Sequence, residues 1–433
     1  MASGTIASIA LSFALSIVIA RLLGPESLAN YATVSVAALL IAQLNDLGLA
    51  NAFAYYARHR PGSVPTLVRI LARHLLFSVA VAVVVVLAAP LFRPSVREAL
   101  APPWFSAMVV VLLVGGTAAN VLPVIILARG RYAAYVSFTN AMTALQLAAV
   151  TMVYAVKGPS WRGFIAGVAL AQVAIVVVQL SYLRRIGADS PEGVTARECY
   201  SYGLRIKWAE IMKLLSGRVD LLLVTLLLPR GDVGAYAVAI SFREFGLMPL
   251  RTYTGIFQNL LVDRARAGRH DGDLVIGSLF LQALVSILLI LGAALVFPVA
   301  LPWMYGRAYA NLPLPATILY ASTLFLSIAG LCWTVFNMRG RPALTSRIVT
   351  VSGVLGPVLV WVLARKAGIV GAATAGLITG AVISVVSLVA LMRLCRYSGR
   401  DAVRVARRVP DVIRELRLAG AATLRRSAAG AGR

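Results

Sequence analysis

Long apolar stretches alternate with short polar ones along almost the whole of this 433-residue chain. A helix that crosses the hydrocarbon core of a bilayer needs about 20 mostly apolar residues. Stretches of that length lie over 3–22, 28–54, 67–92, 104–127, 133–156, 162–183, 204–228, 233–258, 274–300, 314–338, 343–364 and 369–392. Glycine and proline punctuate helices, and Gly24-Pro25, Pro61-Gly62, Pro102-Pro103, Gly158-Pro159, Pro229-Arg230-Gly231 and Asp271-Gly272 interrupt the apolar runs. Pro123, Pro249 and Pro357 fall inside predicted helices, where each removes a backbone hydrogen bond and predicts a kink. The pattern predicts an all-α integral membrane protein with about twelve transmembrane helices.

The pattern also repeats. Ala128-Arg-Gly-Arg131 and Met338-Arg-Gly-Arg341 each close an apolar run at an offset of 210. Residues 22–32 (LLGPESLANYA) align with 227–237 (LLPRGDVGAYA) at offset 205, which sets Tyr31 on Tyr236 and Leu28 on Val233. Gly163-Phe-Ile-Ala-Gly167 pairs more weakly with Gly371-Ala-Ala-Thr-Ala-Gly376. Three matches in one order imply a duplicated half, and repeats of hydrophobic segments mark secondary transporters, whose substrate sits where the repeats meet. Six segments per half is an even number, so both halves enter from the same side as parallel repeats. The expected organisation is an N-terminal six-helix bundle over 1–184, a cytoplasmic linker over 185–203, a C-terminal six-helix bundle over 204–393 and a basic cytoplasmic tail over 394–433.

Composition agrees with a membrane chain, 60% hydrophobic and 13% charged, yet the formal charge is +25. In a soluble chain that charge would suggest nucleic acid. With both termini cytoplasmic, the inner loops and tail hold 28 basic residues against 9 in the outer loops. The positive-inside rule and lipid headgroups account for that excess, so the expected partners are membrane lipids and not nucleic acid. The start MASGTIAS lacks a positive n-region, and the first helix is expected to be retained. Cys199, Cys332 and Cys395 are too far apart for a metal site or a disulfide framework, and His59, His74 and His270 lie at inner helix rims without ligand spacing. No metal or cofactor is expected. In the tail ten arginines face three acids, and Val405, Val409, Val412 and Leu416 recur at helical spacing, which predicts an interfacial helix to about residue 418.

The order ARLLGP, Tyr31, Asp46-Leu-Gly48-Leu and ARGRYAAY, followed by GRVDLLLV, VGAYAVAISFRE and Met248-Pro249, resembles the polysaccharide flippases of the multidrug/oligosaccharidyl-lipid/polysaccharide exporter superfamily. The resemblance runs from about residue 6 to 392. It implies two six-helix bundles around a central cavity. It also implies translocation of undecaprenyl-diphosphate-linked oligosaccharides from inner to outer leaflet, in a bacterial inner membrane, with a polysaccharide polymerase or other assembly proteins as partners. The runner-up is a drug or small-cation extruder of the same superfamily. A membrane polymerase or ligase is third, because no outer loop is long enough for catalytic groups. No P-loop GxxxxGK[ST] is present, so an ATP-driven enzyme is not expected.

An ionisable side chain in a membrane helix costs about 2.5–3.5 kcal/mol on insertion scales and is by default a site hypothesis. The seventh segment holds Glu210, Lys213, Arg218 and Asp220. At 100° per residue, Glu210, Lys213, Gly217 and Asp220 share an arc of about 80°, with Arg218 on the flank. The eighth holds Arg243, Glu244 and Arg251, of which Glu244 and Arg251 share a face and Arg243 lies about 15 Å deep. Arginine presents a planar fork that matches phosphate oxygens, and lysine a point charge. Arg218, Arg243 and Lys213 are therefore the expected diphosphate contacts. Glu210, Asp220, Glu244 and Asp46 are supporting acids and candidates for ion coupling. The competing reading pairs these groups among themselves as glue between helices.

Overall fold

The computed structural model describes residues 2–92, 98, 100–186, 193–266 and 272–395. The tail from residue 396, His270 and residues 187–192 of the expected linker lie outside the described residues. The described residues form helices and turns, with no strand among them. The longer helices are α1 (Ala2–Asn45), α2 (Leu49–His59), α3 (Val64–Phe92), α4 (Pro103–Ala128), α5 (Tyr132–Lys157) and α6 (Trp161–Ile186), then α7 (Ala196–Leu227), α8 (Arg230–Arg266), α9 (Gly272–Tyr305), α10 (Pro313–Met338) and α11 (Pro342–Cys395).

Among the described residues, eight of these helices are long and apolar enough to cross a membrane. The chain is a multi-pass membrane protein. α7 and α8 have the length, 32 and 37 residues, and are set apart by their internal charges. The helix boundaries differ from the sequence expectation in two ways. The first two and the last two predicted segments run together into α1 and α11, which are interrupted by non-helical backbone at Gly24 (φ 69°) and at Ala367-Gly368 (φ −134° and 56°). The segment expected over 28–54 is not continuous. It stops at Asn45, and Leu47 (φ 49°) and Gly48 (φ 78°) turn left-handed before α2 resumes. The Asp46 carboxylate accepts from the Gly48 N–H at 2.7 Å, which compensates the lost helix bond.

The chain divides into two compact units, one ending at Ile211 and the next beginning at Met212. In the first, α4 is central and packs on α1, α2, α3 and α6. Its buried Val121, Leu122, Ile125 and Ile126 meet Phe53, Leu67 and Leu71, and its opening turns bury Phe105 and Val109 against Ala38 and Ile165. Val194 and Cys199 join this core, so the residues following the masked part of the expected linker belong to the first unit. In the second unit α10 takes the central place, against α8, α9 and α11, with Leu331, Cys332, Val335 and Phe336 buried beside Phe257 and Val275. Between lipid-solvated helices the hydrophobic drive is small, and close van der Waals packing holds them. Gly246 against the Tyr320 ring and Gly353 against Met212 are such approaches.

The Arg-Gly-Arg repeat is a structural repeat. α4 ends with Gly130 at φ 71° and bonds Gly130 N→Leu127 O at 2.9 Å and Arg131 N→Ile126 O at 3.2 Å. α10 ends with Gly340 at φ 69° and bonds Gly340 N→Asn337 O at 3.2 Å and Arg341 N→Phe336 O at 2.8 Å. Both are Schellman caps, which need a residue tolerant of positive φ after the helix.

Candidate functional site

The charged stripe of α7 and α8 opens onto a cavity of about 350 Å³ within the second unit. Lys213, Gly217 and Asp220 reach it from α7, and Arg243, Glu244 and Arg251 from α8. α10 contributes Ser327, Gly330 and Trp333, and α11 contributes Gly376, Thr379 and Gly380. Spacings of three and four put these residues on one face of α7, α10 and α11, and on α8 Glu244 and Arg251, seven apart, share a face with Arg243 beside it. Small residues on α10 and α11 leave the volume open.

Arg243 and Asp220 form the buried wall of the cavity. Their side chains are 5% and 8% exposed, and Arg243 Nη1 lies 3.3 Å from Asp220 Oδ2. Arg243 Nη2 donates to the Gly217 carbonyl at 3.0 Å, and the Tyr236 hydroxyl donates to Asp220 Oδ2 at 3.3 Å. Arg243 Nε makes no hydrogen bond with the described residues. Glu244 gathers the other two guanidinium groups, Arg251 at 3.3 Å and Arg218 at 3.8 Å, with Arg243 Nη2 at 4.0 Å. Lys213 is exposed and makes no ion pair among the described residues. Its ammonium lies 5.9 Å over the Trp333 ring. Lys213, Arg243 and Arg251 thus line the cavity with two carboxylates, and Arg218 reaches Glu244 without lining it, so cations exceed acids and an anion would balance them.

Glu210 and Asp46 belong to a separate cluster, in the first unit. Lys207, 6% exposed, donates to Asp46 Oδ1 at 2.5 Å and to Glu210 Oε2 at 3.1 Å, and also to the Gln43 carbonyl. The Asn51 amide donates to Glu210. The cluster sits at the α1–α2 break, where the Gly48 and Gly203 backbones meet so closely that neither position has room for a Cβ. Next to it His74 is buried, with Nε2 2.8 Å from the Asn45 carbonyl and Nδ1 3.0 Å from the Tyr200 hydroxyl. The expectation of a rim histidine is corrected here, since the ring ties α3 to the end of α1.

The sequence expectation does not include Lys207 or Asn51 in any site. Lys207 was counted among the inner-loop cations that orient the chain. The available signal was its i,i+3 spacing from Glu210. Trp333 carried no charge and so gave no signal.

The family model described as "Polysaccharide biosynthesis protein" matches residues 1–262. The chain belongs to this family. The match to the polysaccharide biosynthesis family takes in every charged residue of both clusters and ends within α8. A search of the curated proteins finds no match. Solved structures extend the likeness through α9–α11. An inward-facing multidrug resistance MATE family transporter of the MOP superfamily superposes with a TM-score of 0.69 at 13% identity, over 90% of this chain and 94% of that one. The lipid II flippase MurJ in its inward closed conformation gives 0.62 at 13% identity, over 96% and 91%. A MOP superfamily transporter from Pyrococcus furiosus, whose description reports a binding pocket of reverse polarity, gives 0.62 at 14% identity, over 91% and 94%. At these identities the likeness shows the fold alone: the chain folds like these transporters.

Proposed function

We propose that this chain carries a polyprenyl-diphosphate-linked oligosaccharide from the inner to the outer leaflet of a bacterial cytoplasmic membrane by alternating access. In this reading it has twelve spans in two six-helix halves, both termini are cytoplasmic, and a polysaccharide polymerase takes up its product. The observation that carries the reading is the cation excess around one cavity of a polysaccharide biosynthesis family member. A diphosphate taken into the membrane must exchange its hydration for charged donors, because an unpaired charge in low dielectric is very costly. Lys213 and Arg218 are the phosphate contacts, assisted by Arg251. Arg243 completes the phosphate site from the wall, where Asp220 holds it charged. Asp46 and Glu210, with Lys207 between them, are the place for a coupling proton, with Asp220 and Glu244 as the acids that keep the arginines oriented.

Extrusion of small cations, the other function on this fold, calls for a carboxylate available to the cargo. The described acids of this cavity, Asp220 and Glu244, are each matched by arginine, and that disfavours cation export. The test is depletion of the protein followed by leaflet-resolved analysis of lipid-linked sugars. Accumulation on the inner leaflet with loss of surface glycan is expected. Normal surface glycan together with new sensitivity to drugs would overturn the reading in favour of extrusion. Among complementing variants, Arg218→Lys is expected to retain part of the transport and Arg218→Ala little, because charge without the guanidinium fork is a weaker phosphate ligand.

A further inference from the structure

One wall of the cavity is unaccounted for by a diphosphate. Trp333 is held in orientation by its Nε1, which donates to the buried Ser387 hydroxyl at 3.2 Å. Its ring lies under the Lys213 ammonium. One turn before it, Gly330 lines the cavity with open space where a Cβ would stand, and Gly376 and Gly380 line it from α11. Ser327, Ser352 and Thr379 belong to the same lining, and each hydroxyl donates to a carbonyl one turn back in its own helix, which leaves its oxygen as an acceptor. A fixed indole, room beside it and hydroxyls within the same space suit a ring that is apolar on its faces and polar at its edge. A pyranose is such a ring.

The cation over the indole decides when that face is available. A lysine over an aromatic face at an exposed site is held less strongly than by a charge-assisted bond to an anion. Lys213 has no carboxylate partner among the described residues to give up. An arriving phosphate therefore draws it off the ring. We propose that Trp333 is the stacking platform for the sugar adjoining the phosphate, and that Lys213 covers this platform until the anion binds. The proposal rests on the transport reading above and adds to it a sugar subsite with an order of engagement, phosphate first and sugar second.

The test uses the purified full chain in lipid nanodiscs and two probes, a polyprenyl diphosphate and the same lipid carrying one hexose. Wild-type protein is expected to bind the hexosyl lipid about fivefold more tightly than the bare diphosphate. Trp333→Leu should erase the preference for the hexosyl lipid while binding the bare diphosphate at least as tightly as the wild type does, because Lys213 then has no ring to leave, and Trp333→Phe should keep part of the preference. Lys213→Met should weaken both probes by the same factor and leave their ratio intact. A preference that survives Trp333→Leu, or its absence from the wild type, overturns the subsite and leaves the transport reading standing. Failure of both probes to bind the wild type overturns both. If Trp333→Leu does not fold, the Trp333 emission, taken as wild type minus Trp333→Phe, decides. It must shift further with the hexosyl lipid than with the bare one, and equal shifts overturn the proposal.

Discussion

At the residue scale, Arg243 and Asp220 are a buried pair whose members depend on each other. Removing one leaves the other charged and unpaired in low dielectric, which costs about 3–5 kcal/mol. Arg243→Ala and Asp220→Ala should each lower the thermal unfolding midpoint in detergent. The double variant should lose less than the sum, because it leaves no orphaned charge. Additive losses would mean that the pair is solvated. Gly48 is constrained for a different reason, since its φ is 78° and a Cβ would fall on the Gly203 backbone. Gly48→Ala is expected to cost at least about 2 kcal/mol, and unchanged membrane levels and melting would refute it. The charges of α7 and α8 were legible because ionisable groups stand out in an apolar run. Lys207 was not, because a cation near a helix end looks alike whether it faces headgroups or a buried carboxylate. Trp333 was hidden for the opposite reason, as one more large side chain in an apolar helix.

At the element scale, α7 begins with a capping box outside the apolar span. Thr195 N donates to Glu198 Oε2 at 2.7 Å, and Glu198 N returns a bond to Thr195 Oγ1 at 3.3 Å. The bonds from Thr195, backbone first and hydroxyl second, hold the Glu198 carboxyl below its ordinary value. The stabilisation is therefore full above the ordinary carboxylate range and is lost as pH falls through the depressed value. Protection of the first amides of α7, with the intrinsic pH dependence of exchange divided out, should fall as pH drops below the ordinary carboxylate range, and Glu198→Gln should show lower protection at neutral pH with little further change on acidification. Wild-type protection that does not change with pH would remove the carboxylate from the cap. Helix positions were legible from hydropathy and from Gly-Pro punctuation. The break at Asp46-Leu47-Gly48 was not, because leucine at positive φ is opposed by local sterics and follows only from the carboxylate bond and the Gly203 contact.

At the scale of the whole molecule, the arginine bias predicts which loops face the cytoplasm. In a chain whose three cysteines are replaced by alanine, a cysteine at Ser160 should react with an impermeant thiol reagent on intact cells. One at Tyr132 should react only after permeabilisation, and the reverse pattern would invert the topology. The first turns of α7 are bound into the first unit through Cys199 and Lys207, a tie that hydropathy does not register. The charges of the second unit also bear on how the chain enters the bilayer during synthesis. α7 and α8 are joined by only Leu228 and Pro229, and each alone carries too much charge to leave the translocon readily. As a hairpin they can pair Asp220 with Arg243 before either meets lipid, so the contact that shapes the cavity also makes these two helices insertable, as a unit, during biogenesis.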